Sequence, residues 1–243
     1  MGRAIERLRR SRGYVATFRF LTQRALPFVF LLAVFHGAGA VLAQSIFAVR
    51  SSWGSICRPT IKPAEVEARR PVKERVPTDA LCAATGLELK EAGTYRLTLA
   101  IPRDEPWLDA ELGARAYGID PHALGTGRLL VWVPFRRHLG QPWFKPMMRI
   151  GWRGDDAYPL DPKPSLSKEH LDRASEAGPA GCDAGQDNGE PTIAFASEVV
   201  APSSGELFIY VNDAIFLPPW TDLFYRNNRG SACLTVEKIV PAP

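Results

Sequence analysis

The sequence predicts an all-β protein: an antiparallel β-sandwich preceded by a single N-terminal transmembrane or signal helix. Its 20 Gly and 21 Pro favour turns and short strands over a helical bundle. After residue 50, short apolar segments recur between turn residues, and none keeps the 3.6-residue period of an amphipathic helix. The composition, 46% hydrophobic and 23% charged, excludes wholesale disorder and a polytopic membrane protein.

The N-terminal 43 residues predict membrane targeting. Residues 1–24 contain seven Arg and one acidic residue, so this tail carries +6 and the rest of the chain carries −2. Because the excess of positive charge is confined to the tail, we expect no nucleic-acid partner. The uncharged run 25–43 approaches the roughly 20 residues that cross a bilayer as a helix. The preceding arginines predict that the tail stays in the cytoplasm and that the rest is exported.

The membrane segment allows two interpretations, a retained anchor and a cleaved signal sequence. The run is long for a signal sequence, yet small residues before Gln44 resemble a cleavage site. The chain is accordingly divided into four segments: a basic cytoplasmic tail (1–24), a transmembrane or signal-anchor segment (25–46), a Pro-rich stalk (47–85) and a β-sandwich domain (86–243). Prolines spaced among charged residues predict extended, semi-rigid backbone for the stalk.

The clearest predicted strand is Thr94–Ile101, where apolar and polar residues alternate. Tyr95, Leu97, Leu99 and Ile101 share one face, as in an antiparallel strand with one buried side. Turn residues bound the other candidate strands. These are Arg128–Val133, Met147–Trp152, Thr192–Val199, Glu206–Asn212 and Ser231–Ile239.

A long polar loop is predicted at residues 154–191, which are rich in Asp, Pro, Gly and Ser. Within it, Lys168–Ala177 has the composition of a short surface helix. Loops of this length are uncommon in compact domains and are usually functional or mobile.

Cysteine usage is consistent with an exported domain that contains two disulfides. The chain has Cys57, Cys82, Cys182 and Cys233, and no CxxC pair that would indicate a zinc or thioredoxin-type site. Three pairings are possible, and neighbour pairing, Cys57–Cys82 and Cys182–Cys233, is the simplest. Reduced, buried thiols are the alternative. Strand alternation places Cys233 on the polar face of its strand, where Cys182 in the long loop could reach it.

No catalytic signature is present, so the sequence predicts that the protein is not an enzyme. GxGxxG, GxxxxGK, HExxH and GxSxG motifs are all missing. The histidines also lack metal-ligand spacing. They are His36, His122, His138 and His170.

Oxygen-bearing side chains are concentrated at one end of a predicted β-hairpin. The strand Glu206–Asn212 ends in Asn-Asp, thirteen residues follow, and Asn227-Asn228-Arg229-Gly230 begins the next strand. Carboxylate and amide oxygens suit a hard cation such as calcium, which takes about six to eight oxygen ligands. Alternatively, these Asn and Asp are ordinary turn residues.

This arrangement of strand, Asn-Asp, loop and Asn-Asn-x-Gly resembles the C-terminal half of the bacterial galactophilic (PA-IL-like) lectins. These are calcium-dependent, galactose-binding β-sandwiches. Thr94–Ile101, Pro106-Trp107 and Leu139–Gly151 resemble upstream parts of the family, so the resemblance covers about residues 86–240. It implies a galactose-binding-like sandwich and a further backbone ligand for calcium from the loop after Trp107.

By this resemblance, calcium is held by the side chains of Asp213, Asn227 and Asn228 and by the backbone carbonyl of Phe224. The sugar is bound by Asp213 and Asn227, and His122 is the nearest candidate for a sugar-contacting histidine. The family's loop between the acidic residue and the Asn pair is considerably shorter. The apolar thirteen-residue loop therefore predicts packing over the sandwich, an altered ligand pocket, or a docking surface for a protein or a membrane.

Together these features predict a membrane-anchored, exported lectin-like domain that binds a carbohydrate or polyol, with calcium as its cofactor. The alternative is a non-catalytic envelope module that keeps the fold and binds a protein partner. A third, more distant hypothesis is a hydrolase that uses the acidic residues at the end of the predicted hairpin. The predicted location is the bacterial inner membrane through residues 25–46, with the C-terminal domain in the periplasm. Cleavage near Ala43 would instead give a secreted protein.

Overall fold

The described part of the chain is mostly β-sheet, preceded by an apolar N-terminal helix. The chain divides into two compact units, residues 1–42 and 43–243. The computed structural model describes residues 12–67, 71–101, 106–153, 157–162 and 193–239.

The N-terminal segment is helical. Helix α1 (Arg12–Phe20) leads through a π-helical turn (Leu21–Ala25) into helix α2 (Leu26–Ser52). The helical stretch Val15–Ser52 is long and apolar enough to cross a membrane, and 6% of its most apolar window is buried. A signal sequence meets the same criteria, so both a retained anchor and a cleaved signal are compatible with this helix.

The last turns of α2 belong to the second unit and pack into it. Phe47 and Ser51, one helical turn apart, are buried. The Ser51 hydroxyl accepts a hydrogen bond from Nη1 of Arg149 (2.6 Å). Gln44 Nε2 donates to the backbone carbonyl of Arg136 (2.7 Å). The helix therefore continues beyond the predicted limit at residue 46 and becomes part of the β-rich unit.

One of the two larger sheets has four antiparallel strands. They are β2 (Val72–Pro77), β4 (Thr94–Ile101), β9 (Ile193–Val200) and β12 (Ser231–Ile239), in the order β2-β12-β4-β9. Strand β4 has the bounds expected from its alternation, and its four predicted core residues are at most 3% exposed. The last strand of the chain, β12, is thus central in this sheet.

The other large sheet has five strands. They are β1 (Ala64–Glu65), β3 (Ala83–Leu89), β7 (Pro146–Ile150), β8 (Ala157–Pro159) and β10 (Gly205–Val211), in the order β1-β3-β10-β7-β8. Strand β1 is parallel to β3, and the other pairs are antiparallel. Every residue of β10 after Gly205 is buried, as expected for a central strand covered on both faces.

The predicted β-hairpin is wrong, because β10 and β12 lie in different sheets. A small third sheet instead pairs the loop after Trp107 with the segment Asn228–Arg229. Its strands are β5 (Leu108–Asp109), β6 (Leu112–Gly113) and β11 (Asn228–Arg229), in the order β11-β5-β6. The register places Asp109 opposite Asn228. This short pairing brings together oxygen-bearing residues that are more than 100 positions apart in the sequence.

The strand predicted at Arg128–Val133 is wrong. Helix α3 (Pro121–Leu124) is followed by helix α4 (Thr126–Trp132) and a 3₁₀ turn (Val133–Phe135). A short apolar run does not by itself distinguish a buried strand from a helical segment. Pro134 within the 3₁₀ turn also lacks the N–H group that a central sheet position would need.

The structure differs from the predicted stalk over residues 47–85. This segment contains the end of α2, strands β1 and β2, and the start of β3. Extended backbone occurs in its strands, which are paired within the sheets, while its first residues are helical. Pro77 is tolerated because β2 is an edge strand and the proline is its last residue. The compact unit accordingly begins at residue 43 and not at residue 86.

The predicted disulfide Cys57–Cys82 is confirmed. Cys233 is disulfide-bonded as well, while Cys182 lies outside the described residues, so the Cys182–Cys233 pairing stays a prediction. Cys233 is 5% exposed, and Ser231 and Thr235 on the same, more polar face of the strand are also buried, so this face is not exposed to solvent.

Most of the predicted long loop 154–191 also lies outside the described residues, as does the helix predicted at Lys168–Ala177. Within the described part, residues 157–159 form β8 and pair with β7. This portion of the predicted loop is therefore a strand of the five-stranded sheet.

Candidate binding site

The candidate site forms where β10 ends. Asp213 lies two residues beyond this strand and is 1% exposed. Its Oδ1 accepts a hydrogen bond from the backbone N–H of Ala214 (2.6 Å), and its Oδ2 accepts one from Nδ2 of Asn228 (2.9 Å). The two ends of the sequence motif, Asp213 and Asn228, are thus in direct contact.

A second acidic residue, Asp109, joins this pair from β5. Asn227 Nδ2 donates to its Oδ1 (2.8 Å), and Trp143 Nε1 donates to its Oδ2 (2.8 Å). The backbone N–H of Ala110 donates to the carbonyl of Asn227 (3.2 Å). Because Asp109 also lies opposite Asn228 in the β5–β11 register, the site contains two carboxylates and two amides.

Burial dominates the electrostatics of Asp213. Burial, with a smaller contribution from the negative charge of Asp109, raises the pKa of Asp213 to about 7. The hydrogen bonds from Ala214 and Asn228 lower this pKa by less than burial raises it. A carboxyl group with such a pKa is partly protonated at neutral pH, and a bound cation would shift it towards the ionised form.

The donor chemistry of these residues fits a hard cation. Asn228 Oδ1 is buried and has no hydrogen-bond partner among the described residues. Both Asn side chains currently direct their NH₂ groups at carboxylates, and a half-turn of each amide exchanges its nitrogen and oxygen. Within the described ranges no group of three His, Cys, Asp or Glu side chains forms a metal cluster. Calcium sites can include amide oxygens beside carboxylates, and the two Asn side chains could supply such oxygens after that half-turn.

A pocket of about 170 Å³ lies beside Asp109 and Asn227. It is lined by Asp109, Ala110, Leu124, Trp132, Trp143, Phe224 and Asn227. The rings of Trp132 and Phe224 pack edge-to-face with centroids 4.9 Å apart. Asp213 and Asn228 do not line the pocket and are both buried. The pocket therefore has aromatic walls and a polar end, next to a buried polar pair.

Asn212, the first residue of the Asn-Asp pair, has a structural role. Its Oδ1 accepts from the backbone N–H of His138 (2.8 Å). Its Nδ2 donates to the carbonyls of His138, Gln141 and Pro142, at 2.9–3.1 Å. These bonds hold the turn that precedes Trp143, so Asn212 positions one aromatic wall of the pocket.

Of the five residues predicted for the site, the structure brings three together beside Asp109, and it places the ring of Phe224 in the adjoining pocket. The role of the Phe224 carbonyl as a calcium ligand stays a prediction. Asp213, Asn227 and Asn228 form the hydrogen-bonded group described above, and Phe224 precedes the 3₁₀ turn that carries Asn227 and contributes its ring to the pocket. His122 is not part of this group. It is an exposed residue in α3, and its backbone N–H donates to the capping side chain of Asp120.

Sequence reasoning missed five residues of the pocket lining, among them Asp109, Trp132 and Trp143. Asp109 lies two residues after Trp107, in the loop that the lectin resemblance singled out, but its pairing with β11 was not visible in the sequence. Trp132 was assigned to the mistaken strand. Trp143 carried no pattern of its own, and its role follows from its hydrogen bond to Asp109.

The thirteen-residue loop 214–226 both packs on the domain and lines the pocket. Ala214 and Ile215 are fully buried, and Phe216 packs against Phe135 with ring centroids 5.5 Å apart. Further along, Phe224 reaches the pocket wall. Two of the three expected uses of this loop therefore occur in the same structure.

A half-buried histidine lies next to the site. His138 Nε2 is 2.8 Å from the hydroxyl of Tyr210, and Arg137 stacks over the Tyr210 ring at 3.5 Å. Burial, together with the positive charge of Arg137, lowers the pKa of His138 to about 3. The imidazole is therefore neutral in the folded chain down to acidic pH.

This histidine is expected to make the fold acid-sensitive. Below pH 6.5 the unfolded chain takes up a proton at His138 that the folded chain does not, so stability falls as the pH falls. Between pH 7 and pH 5 the loss from this group is about 2 kcal/mol. His138→Gln should flatten this part of the profile in urea unfolding relative to wild type. Identical slopes for wild type and His138→Gln would contradict the expectation.

Comparisons with known proteins leave the family unassigned. No protein-family model and no curated protein matches the sequence. Among solved structures, the chain is similar to the N-terminal domain of EclA, described as a PllA-like lectin, at 14% sequence identity. The alignment covers 69% of this chain and 96% of that chain, with a TM-score of 0.36. A TM-score of this size does not establish a shared fold.

Proposed function

We propose that this chain is an exported, membrane-anchored protein whose β-sheet unit binds a carbohydrate or another polyol in the aromatic pocket. The observation that carries the proposal is the combination of Trp132, Trp143 and Phe224 with the polar groups of Asp109 and Asn227. Ligand pockets are typically apolar with a few placed polar groups. Aromatic rings offer a flat apolar surface to a sugar ring, and the carboxylate and amide can bind its hydroxyls.

Calcium is the proposed cofactor. The side chains of Asp213, Asn227 and Asn228 and the carbonyl of Phe224 would hold it, with the Asp109 carboxylate beside them. When bound, calcium would supply positive charge and coordination positions that sugar hydroxyls can occupy. The protein's part is to hold the buried carboxylate of Asp213 within electrostatic reach of the half-buried carboxylate of Asp109. Such a pair is costly without a cation and favourable with one.

The proposed location is a bacterial inner membrane, with residues 25–46 as the anchor and the β-sheet unit in the periplasm. Cleavage near Ala43 would give a secreted form of the same unit. A binding role is proposed rather than catalysis, because Asp109 is the one titratable side chain among the described residues that line the pocket. General acid–base work normally requires a second positioned group.

Ligand binding is expected to require Asn227. Isothermal titration of the full chain in nanodiscs, with calcium present, would compare galactose, glucose, mannose and glycerol. Asn227→Ala removes a pocket hydrogen-bonding group at an exposed position, so the fold should survive and affinity should fall about tenfold or more. The control is Arg226→Ala, at an exposed neighbour outside the pocket lining. Equal affinities for Asn227→Ala and wild type would place the binding site elsewhere.

The alternative function, an envelope module that binds a protein, makes a different prediction for the same samples. A ligand specific for the folded state adds about 2.7 kcal/mol at 100 times its dissociation constant. No stabilisation by millimolar calcium relative to chelator, together with no binding of any sugar or polyol, would favour the protein-binding module.

A further inference from the structure

The loop after β10 exposes a compact apolar tip. We define the apolar tip as Leu217–Trp220 together with Leu223. Trp220 is 53% exposed and Leu223 is 44% exposed, and the two prolines between Leu217 and Trp220 are exposed as well. No charged residue occurs between Asp213 and Asp222. A contiguous apolar surface of this kind marks a contact site more often than chance exposure does.

The apolar tip is held in place by the fold beneath it. Phe216, just before the tip, packs against Phe135, and the Ile215 N–H donates to the Phe135 carbonyl (2.9 Å). Within the tip, the backbone N–H of Trp220 donates to the backbone carbonyl of Leu217 (2.9 Å), and the backbone N–H of Leu223 donates to the carbonyl of Trp220 (3.1 Å). The exposed Trp is therefore presented on an ordered turn.

Hydrogen bonds tie the tip and its base to the residues that directly follow the apolar N-terminal run. Gln44, the first polar residue after the run 25–43, donates to the carbonyl of Arg136, next to Phe135. Arg50 Nη1 donates to the Thr221 hydroxyl, adjacent to Trp220 (2.8 Å). If residues 25–43 span a bilayer, Gln44 lies at its surface because it is the next residue in the chain.

The chemistry around the tip suits a lipid surface. Tryptophan is enriched at membrane–water interfaces, where its ring lies among the headgroups. Leu139 adds a further exposed apolar side chain, and its carbonyl accepts a hydrogen bond from the Arg136 guanidinium. The charged side chains around the tip are balanced, since Arg50 and Arg136 lie on one side and Asp222 forms an ion pair with Arg226 within the same loop.

We propose that the apolar tip inserts into the headgroup region of the same bilayer that holds the N-terminal helix, so that the β-sheet unit rests on the membrane surface. This inference rests on the proposed membrane anchor and does not depend on sugar or calcium binding. Lipid, and not a protein, is the proposed partner of the tip, because hydrogen bonds connect the tip and its base to the first residues after the apolar run.

Tryptophan fluorescence tests the contact directly, because residues 1–52 contain no Trp. The full chain would be reconstituted in phosphatidylcholine nanodiscs whose acyl chains are brominated near the headgroup, and bromine quenching would be measured. Trp220→Phe should lose most of the quenching seen in wild type. The matched control is Trp53→Phe, which removes a more exposed tryptophan (76%) that lies nine residues beyond Gln44. That variant should keep the quenching.

Each other outcome overturns the inference. Equal quenching in wild type and Trp220→Phe would place the tip away from lipid. Protection of Trp220 from aqueous iodide without bromolipid quenching would assign the tip to a protein or a second copy of this chain. Flotation with vesicles reports separately on the anchor: a chain that floats but lacks Trp220 quenching refutes the surface contact alone, and a chain that does not float refutes the anchor.

Discussion

Asp213→Asn is expected to abolish stabilisation by calcium and to raise the stability of the metal-free protein at pH 8. The folded-state pKa of Asp213, about 7, lies above its ordinary value of 3.8. Between these two values the folded chain binds a proton that the unfolded chain has released. This group's contribution to stability therefore falls as the pH rises and is lowest above pH 7.

The size of the effect follows from the same linkage. At pH 8 the buried, ionised carboxylate of Asp213 lowers the free energy of unfolding of the metal-free chain by about 4 kcal/mol. The Asn variant lacks this charge but loses the acceptor for Asn228 Nδ2, which costs about 1–2 kcal/mol. We therefore expect a net gain of about 2 kcal/mol at pH 8. At pH 5 the gain should disappear, because wild-type Asp213 is then protonated in the fold.

Guanidinium unfolding at pH 5 and pH 8, each with calcium or chelator, measures both effects. The control is Asp222→Asn. The hydrogen bond from Arg226 lowers the pKa of Asp222, so this substitution should lower the free energy of unfolding slightly, opposite in sign to the gain expected for Asp213→Asn. A calcium increment in Asp213→Asn as large as in wild type would refute the metal site. Equal destabilisation of Asp213→Asn at both pH values would refute the buried-charge account.

Removing the Cys57–Cys82 disulfide is expected to cost about 3.5 kcal/mol in the chain-entropy model. The bridge closes a 25-residue separation that contains β1 and β2, and β2 pairs along its whole length with β12. Without the bridge, these two strands lose a covalent constraint in the unfolded chain, and β2 is held by one neighbouring strand alone.

The experiment compares wild type with Cys57→Ser/Cys82→Ser under non-reducing conditions, so that the disulfide at Cys233 stays intact. Denaturant midpoints and slopes give the change in unfolding free energy. Paired substitution avoids the free thiol that either single variant would leave. A loss below about 1 kcal/mol would indicate that β1 and β2 are fixed by sheet pairing alone.

Patterns within short sequence segments predicted the helix and the strand that are recognisable without a distant partner. Strict alternation was enough for β4, and the long uncharged run was enough for the apolar helix. The helix at Thr126–Trp132 was missed because a short apolar run suits either structure. Strand β2 was missed because charged and proline-flanked residues can form an edge strand once a partner 150 residues away pairs with them.

The candidate site divides in the same way. Asp213, Asn227 and Asn228 flank one thirteen-residue loop, so their proximity could be predicted from the sequence, although the strands on either side of the loop lie in different sheets. Asp109 comes from β5, and only the short β5–β11 pairing places it beside them. His122 was named only as the nearest candidate for a sugar-contacting histidine of the lectin family, and in the structure it is exposed in α3.

The central position of β12 has a consequence for how this protein acquires its structure. The four-stranded sheet cannot close until its C-terminal strand has arrived, because β12 separates β2 from β4. Pairing residue 77 with residue 231 closes a very long stretch of chain, which slows folding. Until then, an emerging chain presents two unpaired strand edges that can aggregate. Cys57 and Cys82 can join long before this step, and the bridge would restrict the conformations of the loop that contains the unpaired β2 strand.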